Sequence, residues 1–215
     1  PVIEAALTYD DNIVRSETAK QGSLIASAKA SAELRSDWRR HGVAISAEVE
    51  KGVFTSSSSD DYLDASAGFE GILDATRATR LRFRSGFGRE REMRGGDDAP
   101  ADLAAPVRLH SFAADATLQY APGRLRIQPS LAWRRLDFND TQRLDGGFEN
   151  QDDRDRDRIS AKLFTGWRWT RRTEFFASGE VAFIGFDDPV DDAGLDRDGV
   201  ALNALVGARF RSGGP

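Results

Sequence analysis

Apolar and polar side chains alternate with a period of two along most of this chain. In residues 23–38 the even positions are Leu, Ala or Trp except for Ser36, and the odd positions are polar or charged except for Ile25. Successive residues of a β-strand point to opposite faces, so this segment is predicted to be a strand with one apolar face. An alanine-rich helix is the alternative, because Ala, Lys and Glu favour helices. On a helix, however, Arg35 would fall among the small and apolar residues.

The same alternation predicts ten strands in all. They span residues 2–9, 23–38, 41–53, 63–75, 80–88, 112–120, 125–133, 158–169, 175–183 and 200–210. Many exceed the roughly 5–6 residues usual for strands of soluble proteins. They match the roughly 9–11 residues that a tilted strand needs to cross a bilayer.

The connections between these strands fall into two classes that alternate along the chain. The short ones are residues 39–42, 76–79, 121–124 and 170–173, and the long polar ones are 10–22, 55–61, 89–108, 139–157 and 187–199. This alternation is typical of outer-membrane barrels, which have short periplasmic turns at one rim and long external loops at the other.

Two architectures could accept the apolar faces. A soluble β-sandwich buries them in a core and turns the charged faces to water, whereas a barrel in a bilayer turns them to lipid and encloses the charges. Strand length, the two classes of connection and aromatic residues near strand ends favour the barrel. These aromatic residues are Tyr9, Trp38, Tyr62, Tyr120, Trp133, Trp167 and Trp169. The predicted fold is an all-β, antiparallel, up-and-down transmembrane β-barrel. It forms a single domain over residues 1–215, with about ten strands in this chain.

Composition narrows the function classes further. The 215 residues include no cysteine, which excludes zinc-ribbon, iron–sulfur and disulfide frameworks. A net charge of −5 argues against a nucleic-acid partner. The longest stretch without a charged residue is ten residues, 199–208, whereas a membrane-spanning helix needs about 20 mostly apolar residues. The chain begins at Pro1 rather than Met, so we expect a bacterial outer-membrane protein whose signal peptide has been removed.

The charges predicted to line the lumen are sorted by sign. The acidic ones, on the third and fourth strands, are Glu48, Glu50, Asp64, Glu70 and Asp74. The basic ones, on the fifth, seventh and eighth strands, are Arg80, Arg82, Arg84, Arg126, Arg134, Arg158, Lys162 and Arg168, and the last two strands add Glu180 and Arg209. Opposed acidic and basic walls would set a field across a water-filled lumen and tune its selectivity. The alternative is a set of cross-strand ion pairs that fill a narrow interior.

Other chemistry has little support in the sequence. Asp187, Asp188, Asp191, Asp192, Asp196 and Asp198 are candidates for an irregular divalent-cation site that bridges lipopolysaccharide phosphates, and a solvated external loop is the alternative. An EF-hand does not fit, because placing Gly199 at its sixth position puts Gly194 first and Leu205 twelfth. The two histidines, His41 and His110, have no local signature of a Ser-His-acid site. We therefore predict no catalytic residue, no cofactor and no enzymatic activity.

Two segments carry a resemblance to a known family. Residues 7–13 (LTYDDNI) and 127–140 (IQPSLAWRRLDFND), with the Asp- and Arg-rich residues 152–158, resemble outer-membrane β-barrel porins associated with capsule and exopolysaccharide export loci in Gram-negative bacteria. The resemblance implies a porin-like or export-associated barrel in contact with lipid and lipopolysaccharide. Members of this family are generally longer, and residues 211–215 (RSGGP) resemble a turn rather than an aromatic barrel end. We therefore expect a truncated chain or part of a larger barrel.

Three functions remain open from the sequence. The first is a porin-like channel that passes polar solutes or helps to export saccharide. The second is a structural or docking barrel whose acidic external loops bind a surface layer, polysaccharide or an envelope protein. The third is a soluble β-sandwich.

Overall fold

A computed structural model describes residues 1–15, 20–92, 103–191 and 193–211. Its ten long strands are β1 (Val2–Asp10), β2 (Ser23–Arg35), β3 (His41–Phe54), β4 (Tyr62–Asp74), β5 (Thr79–Glu92), β6 (Val107–Tyr120), β7 (Leu125–Phe138), β10 (Arg156–Arg168), β11 (Thr173–Phe186) and β12 (Gly199–Phe210). Two short strands, β8 (Thr141–Gln142) and β9 (Phe148–Glu149), and two 3-10 helices, η1 (Ser58–Asp60) and η2 (Asp152–Arg154), lie in the long connections. All ten predicted strands are confirmed, and the helical alternative for residues 23–38 is wrong.

The ten long strands form one antiparallel sheet in which neighbours along the chain are neighbours in space. Its order is β1-β2-β3-β4-β5-β6-β7-β10-β11-β12, so the predicted all-β, up-and-down topology is confirmed. The two terminal strands are the edges of the sheet as the structure describes it. In the same part of the chain, no helix is long and apolar enough to cross a membrane.

Register keeps most apolar and most charged side chains on separate faces in every strand except near the long-loop rim. Val49 of β3 lies opposite Ala30 of β2 and Ala65 of β4, whereas Glu48 lies opposite Ser31 and Ser66. The same parity holds from β1 to β12, because each pairing continues the previous one without a slip of one residue. We call the two sides the apolar face and the charged face.

The apolar face has no second layer over it in the described residues. Leu7 is 74% exposed, Leu131 is 63% exposed and Val206 is 79% exposed, although all three lie within strands. A β-sandwich would cover such side chains with a second sheet. The soluble β-sandwich alternative is therefore wrong for this architecture.

The connections keep the predicted division into two classes. Residues 36–40, 75–78, 121–124 and 169–172 form short turns at one end of the sheet, which we call the short-turn rim. The described residues of the long connections lie at the opposite end, the long-loop rim, and are residues 11–15, 20–22, 55–61, 103–106, 139–155, 187–191 and 193–198. The turn at 121–124 depends on Gly123, whose φ of 60° is open to glycine and costly for most other residues. The predicted turn at residues 211–215 falls mostly on Ser212–Pro215, which lie outside the described residues.

Several strands extend further toward the long-loop rim than the alternation predicted. Strand β5 ends at Glu92 rather than residue 88, β6 begins at Val107 rather than residue 112, and β7 ends at Phe138 rather than residue 133. In the β6 and β7 extensions apolar residues occupy the charged face, whereas residues 89–92 of β5 are all charged, so the alternation fails in both cases. Loops fold over the charged face at the long-loop rim and shield those apolar side chains from water.

A small apolar core forms where these loops meet the charged face. Leu103 of the β5–β6 connection and Val107 are fully buried, and both pack with Phe138, which is 6% exposed. The β8–β9 hairpin holds this segment in place, since the Ala104 N–H donates to the Gln142 carbonyl at 2.7 Å. We call this group, with Leu109 and Leu136 packed against it, the loop core.

We predict that Leu103→Ala loosens the loop core while leaving the sheet intact. Truncating a fully buried leucine costs about 2–5 kcal/mol, and here that cost falls on the local attachment of the loop. Hydrogen exchange at the Ala104 amide should accelerate. Leu144→Ala is the matched control, because Leu144 lies in the β8–β9 connection and is 70% exposed. Equal exchange rates in the two variants would show that the loop core does not stabilise the attachment of this loop.

Candidate functional site

The charged face carries every residue that the sequence predicted for the lumen. Glu48, Glu50, Asp64, Glu70, Asp74, Arg80, Arg82, Arg84, Arg126, Arg134, Arg158, Lys162, Arg168, Glu180 and Arg209 all have the parity of this face. Seven strands therefore bring side chains that are up to 161 positions apart in sequence onto one surface. This surface is the candidate functional site.

One end of the charged face on β3 and β4 is acidic. Glu50 lies directly opposite Asp64, and these two with Glu48 and Glu90 line an open hollow of about 280 Å³. Three contacts moderate the repulsion between the carboxylates. The Lys29 ammonium lies 2.6 Å from Glu48, the Tyr62 hydroxyl donates to Glu50 at 2.5 Å, and the Arg91 guanidinium bonds the Asp64 carboxylate.

Ion pairs join the acidic strand β4 to the basic strand β5. Arg80 bonds the Asp74 carboxylate in the register pair Asp74–Arg80. Arg82 lies 3.6 Å from Glu70.

On the other side of β5, Arg84 lies 3.0 Å from Asp115 of β6. At this junction the interpretation as cross-strand ion pairs fits the geometry. Each of the three β5 arginines has an acidic partner.

Strands β7 and β10 differ, because their cations outnumber the acids near them. Arg134 lies directly opposite Arg158, and Lys162 lies opposite Ser130 on one side and Glu180 on the other. In the part of the chain that the structure describes, Arg134 and Lys162 form no ion pair, and Arg158 reaches Glu180 only at 3.9 Å. All three are exposed. We call Arg134, Arg158 and Lys162 the basic strip.

A third cluster lies on the charged face near the short-turn rim, where Glu174 is shared by several arginines. Its carboxylate is 2.7 Å from Arg126 and 3.6 Å from Arg209, and Arg168 is its register partner on β10. The Arg126 guanidinium also lies 4.6 Å from the centroid of the Phe164 ring. One acid serving several arginines leaves this end of the face with excess positive charge.

The charges on this face are sorted by sign, and the extent of ion pairing differs from strand to strand. The β4–β5 junction is neutralised by ion pairs, whereas the basic strip keeps its charge. Sequence alone could not separate the two cases, because pairing depends on which strands are adjacent.

The long-loop rim is fastened by Arg135, which the sequence analysis did not single out. Its guanidinium lies 2.5 Å from Asp187, 3.1 Å from Asp157 and 3.7 Å from Asp155, so one side chain ties together the connections before β10 and after β11. The contact with Asp187 is bidentate, an arrangement that adds geometric specificity as well as strength.

Two loop carboxylates have shifted pKa values, in opposite directions. Hydrogen bonding from Arg135 lowers the pKa of Asp187. Burial raises the pKa of Asp155, although the Phe138 N–H donates to its Oδ1 at 2.6 Å.

The two pKa shifts change the stability of the loop in opposite directions as the pH falls. The Asp187 contact stabilises the loop above the ordinary carboxyl pKa and is lost as pH falls through the lowered value. Protonation of Asp155 instead relieves its burial cost as pH falls through the raised value.

The aspartates proposed for a cation are used by the loop itself. Asp191 accepts from the N–H groups of Ala193 and Leu195, and Asp198 accepts from the Phe186 N–H. Asp196 accepts from the Asp198 N–H, and Asp192 lies outside the described residues. Within the described ranges, no three His, Cys, Asp or Glu residues come close enough to hold a metal ion. The geometry thus gives the cation site no support.

The two histidines lie at opposite ends of the sheet. His41 begins β3 at the short-turn rim, whereas His110 lies near the long-loop end of β6 and stacks on Phe87 with ring centroids 6.1 Å apart.

Comparison with known proteins agrees with this geometry. The family model "Putative beta-barrel porin 2" matches residues 1–214. The chain belongs to this family. No curated protein matches the chain.

A solved structure, "Copper transporter OprC", is similar with a TM-score of 0.53 and 8% identity, over 96% of this chain and 36% of the transporter. At that identity the likeness concerns the fold alone. The chain spans about a third of the length of that transporter.

We predict that Arg135→Gln raises the pKa of Asp187 toward its ordinary value of about 3.9. The Asp187 amide, which donates to the Asp155 carbonyl at 3.0 Å, should then exchange faster at neutral pH. Carboxyl-carbon NMR titration and hydrogen exchange measure the two effects. Asp188→Asn is the control, since it removes a neighbouring exposed carboxylate. An unchanged Asp187 pKa in the arginine variant would show that Arg135 is not its partner in solution.

Proposed function

We propose that the protein is an outer-membrane, porin-like channel whose lumen is lined by the charged face. The main observation in support is a one-layer sheet of strands 9 to 14 residues long, with an uncovered apolar face on one side and charged residues on the other. Lipid suits the apolar face and enclosed water suits the charged face. Family membership over residues 1–214 supports the same environment.

The edges of the sheet support closure into a barrel. In hydrocarbon, each unpaired backbone N–H or C=O of β1 and β12 would cost several kcal/mol, because no water is there to bond it. We infer that both edges are paired in the membrane. They pair either with each other or with further strands of a larger barrel, which is the arrangement expected from the sequence.

The basic strip favours anionic solutes among those that such a lumen would pass. Unpaired cations on a pore wall attract anions and raise their local concentration. An acidic saccharide has the appropriate charge, and this is how we connect the channel with the capsule and exopolysaccharide export that the family resemblance implies. The paired arginines of β5 contribute less, because each already has an acid beside it.

A docking barrel is the second candidate, and the loop core favours it. Leu103 and the residues around it cover part of the charged face near the long-loop rim. Loops that closed the lumen completely would leave binding at the acidic external loops as the main activity. Surface polysaccharide or an envelope protein would then be the partner.

We predict that the full-length protein is found in the outer-membrane fraction and conducts ions in planar bilayers. Because the basic strip attracts anions, Arg134→Gln/Arg158→Gln/Lys162→Gln should shift the reversal potential in a salt gradient toward cation preference. The control, Arg124→Gln/Arg171→Gln/Arg172→Gln, removes the same charge from the short turns. Recovery in the soluble fraction would refute the membrane assignment. Membrane recovery without conductance would refute the channel and leave the docking barrel.

We predict that arginine substitution at two adjacent residues in the middle of β4 has different effects on stability. Ala67→Arg places a charge on the apolar face and should lower the free energy of unfolding in lipid vesicles by about 2–4 kcal/mol. Ser66→Arg places it on the charged face, opposite Glu48, and should change that free energy little. Urea titrations in vesicles measure both. A larger loss for Ser66→Arg would mean that the two faces are assigned the wrong way round.

A further inference from the structure

Arginine is concentrated in the short turns. Residues 36–40, 75–78, 121–124 and 169–172 carry six arginines and one acid, Asp37. The arginines are Arg39, Arg40, Arg77, Arg124, Arg171 and Arg172, and all are exposed. In the described part of the chain none of the six forms an ion pair. The short-turn rim therefore presents cations that the protein itself does not neutralise.

Two neighbouring turns place their arginines around one hollow. Arg40 of the β2–β3 turn and Arg77 of the β4–β5 turn both line an open hollow of about 570 Å³ on the rim. Arg40 donates to the Asp74 carbonyl at 3.3 Å, which directs its guanidinium toward this hollow. Arg80 also lines it, but Arg80 is bonded to Asp74. Arg40 and Arg77 thus supply charge that remains available to an anion.

An apolar hollow lies beside these arginines, on the apolar face. It has a volume of about 340 Å³ and is lined by Trp38, Val43, Leu73, Leu81 and Phe83, among others. The register places Leu73 opposite Leu81, one residue before the Asp74–Arg80 pair, so the two hollows lie on opposite faces at the same strand ends, and the turns that carry Arg40 and Arg77 lie at the edge between them. Trp38 is 62% exposed at this point. Tryptophan at a strand end next to cations is typical of a membrane interface.

We propose that this end of β3–β5 binds an anionic phospholipid of the leaflet that the short turns face. The phosphate of the headgroup lies between Arg40 and Arg77, and an acyl chain lies along the apolar hollow beside Trp38. The inference rests on the proposed membrane function. It goes beyond that function by assigning a lipid class and a place on the barrel.

The combination of charge and an apolar seat favours a phospholipid over a soluble polyanion. An acidic polysaccharide or acidic protein would use the arginines but would gain nothing from an exposed hollow of Leu, Val, Phe and Trp. A zwitterionic phospholipid would use the hollow but would lack the net negative charge that two guanidinium groups without an acidic partner attract.

Fluorescence quenching in lipid nanodiscs tests the site. The full-length protein is placed in phosphatidylcholine nanodiscs that contain a minor fraction of a brominated lipid, either phosphatidylglycerol or phosphatidylcholine. Subtracting the signal of Trp38→Phe isolates the quenching of Trp38. We expect brominated phosphatidylglycerol to quench Trp38 more strongly than brominated phosphatidylcholine does. Arg40→Gln/Arg77→Gln should weaken the apparent affinity for phosphatidylglycerol by about fivefold for each arginine removed.

Arg171→Gln/Arg172→Gln is the matched control. It removes the same charge from another turn on the same rim, and it should leave the quenching of Trp38 unchanged. An equal effect of both double variants would overturn the site in favour of diffuse attraction to the whole rim.

Equal quenching by the two brominated lipids would also overturn the site. So would loss of the phosphatidylglycerol preference on adding inorganic phosphate or polygalacturonate, because either result would indicate a site for a soluble anion. Failure of the parent protein to enter nanodiscs would contradict the proposed membrane function itself. Normal insertion into nanodiscs without a preference for phosphatidylglycerol would instead contradict the lipid site alone.

Discussion

A sheet that is one layer thick must find separate surroundings for its two faces, because no other part of the described chain covers the apolar face, and loops cover the charged face only near the long-loop rim. Here the constraint is severe. Residues such as Leu131 and Val206 are mostly exposed on one face, while unpaired cations such as Lys162 lie on the other. Water suits the second face and is unfavourable for the first. A bilayer outside and water inside satisfy both faces, and the strand lengths, the turn lengths and the need to pair the sheet edges follow from that arrangement.

The charged face is neutralised to different degrees on different strands, and adjacency explains the difference. Strand β5 carries three arginines on the charged face, Arg80, Arg82 and Arg84, and is bordered by acids on both sides, Glu70 and Asp74 on β4 and Asp115 on β6. Its charges are therefore paired. Strands β7 and β10 are adjacent and both basic, so Arg134 meets Arg158 rather than an acid. Net positive charge survives where two strands of like sign are neighbours, and this is the part of the face that can act on a solute.

Period-two alternation was sufficient to predict every long strand and the face of every candidate lumen residue. It was insufficient where a strand leaves the membrane environment. At Val107, Leu109, Leu136 and Phe138 the charged-face positions are apolar, because loops cover them there, and the pattern that defines a strand disappears. The break in parity was itself a signal of inward-folded loops. Leu103 and Arg135 gave no such signal, since each depends on a partner that is distant in sequence: Arg143 is 40 residues from Leu103, and Asp187 is 52 residues from Arg135.

Arginine has opposite roles at the two rims. At the long-loop rim, Arg135, Arg154 and Arg197 each bridge separate segments through carboxylates: Arg154 lies 2.7 Å from Glu92, and Arg197 lies 3.0 Å from Asp153. The planar guanidinium can bond several acceptors at once, which allows one side chain to hold two loops. At the short-turn rim the backbone closes the turns, as in the Thr76 N–H bond to the Thr79 carbonyl at 3.2 Å. Apart from the bond of Arg40 to the Asp74 carbonyl, the arginines of these turns make no charged contact in the described residues, and their charge is left for whatever the rim faces.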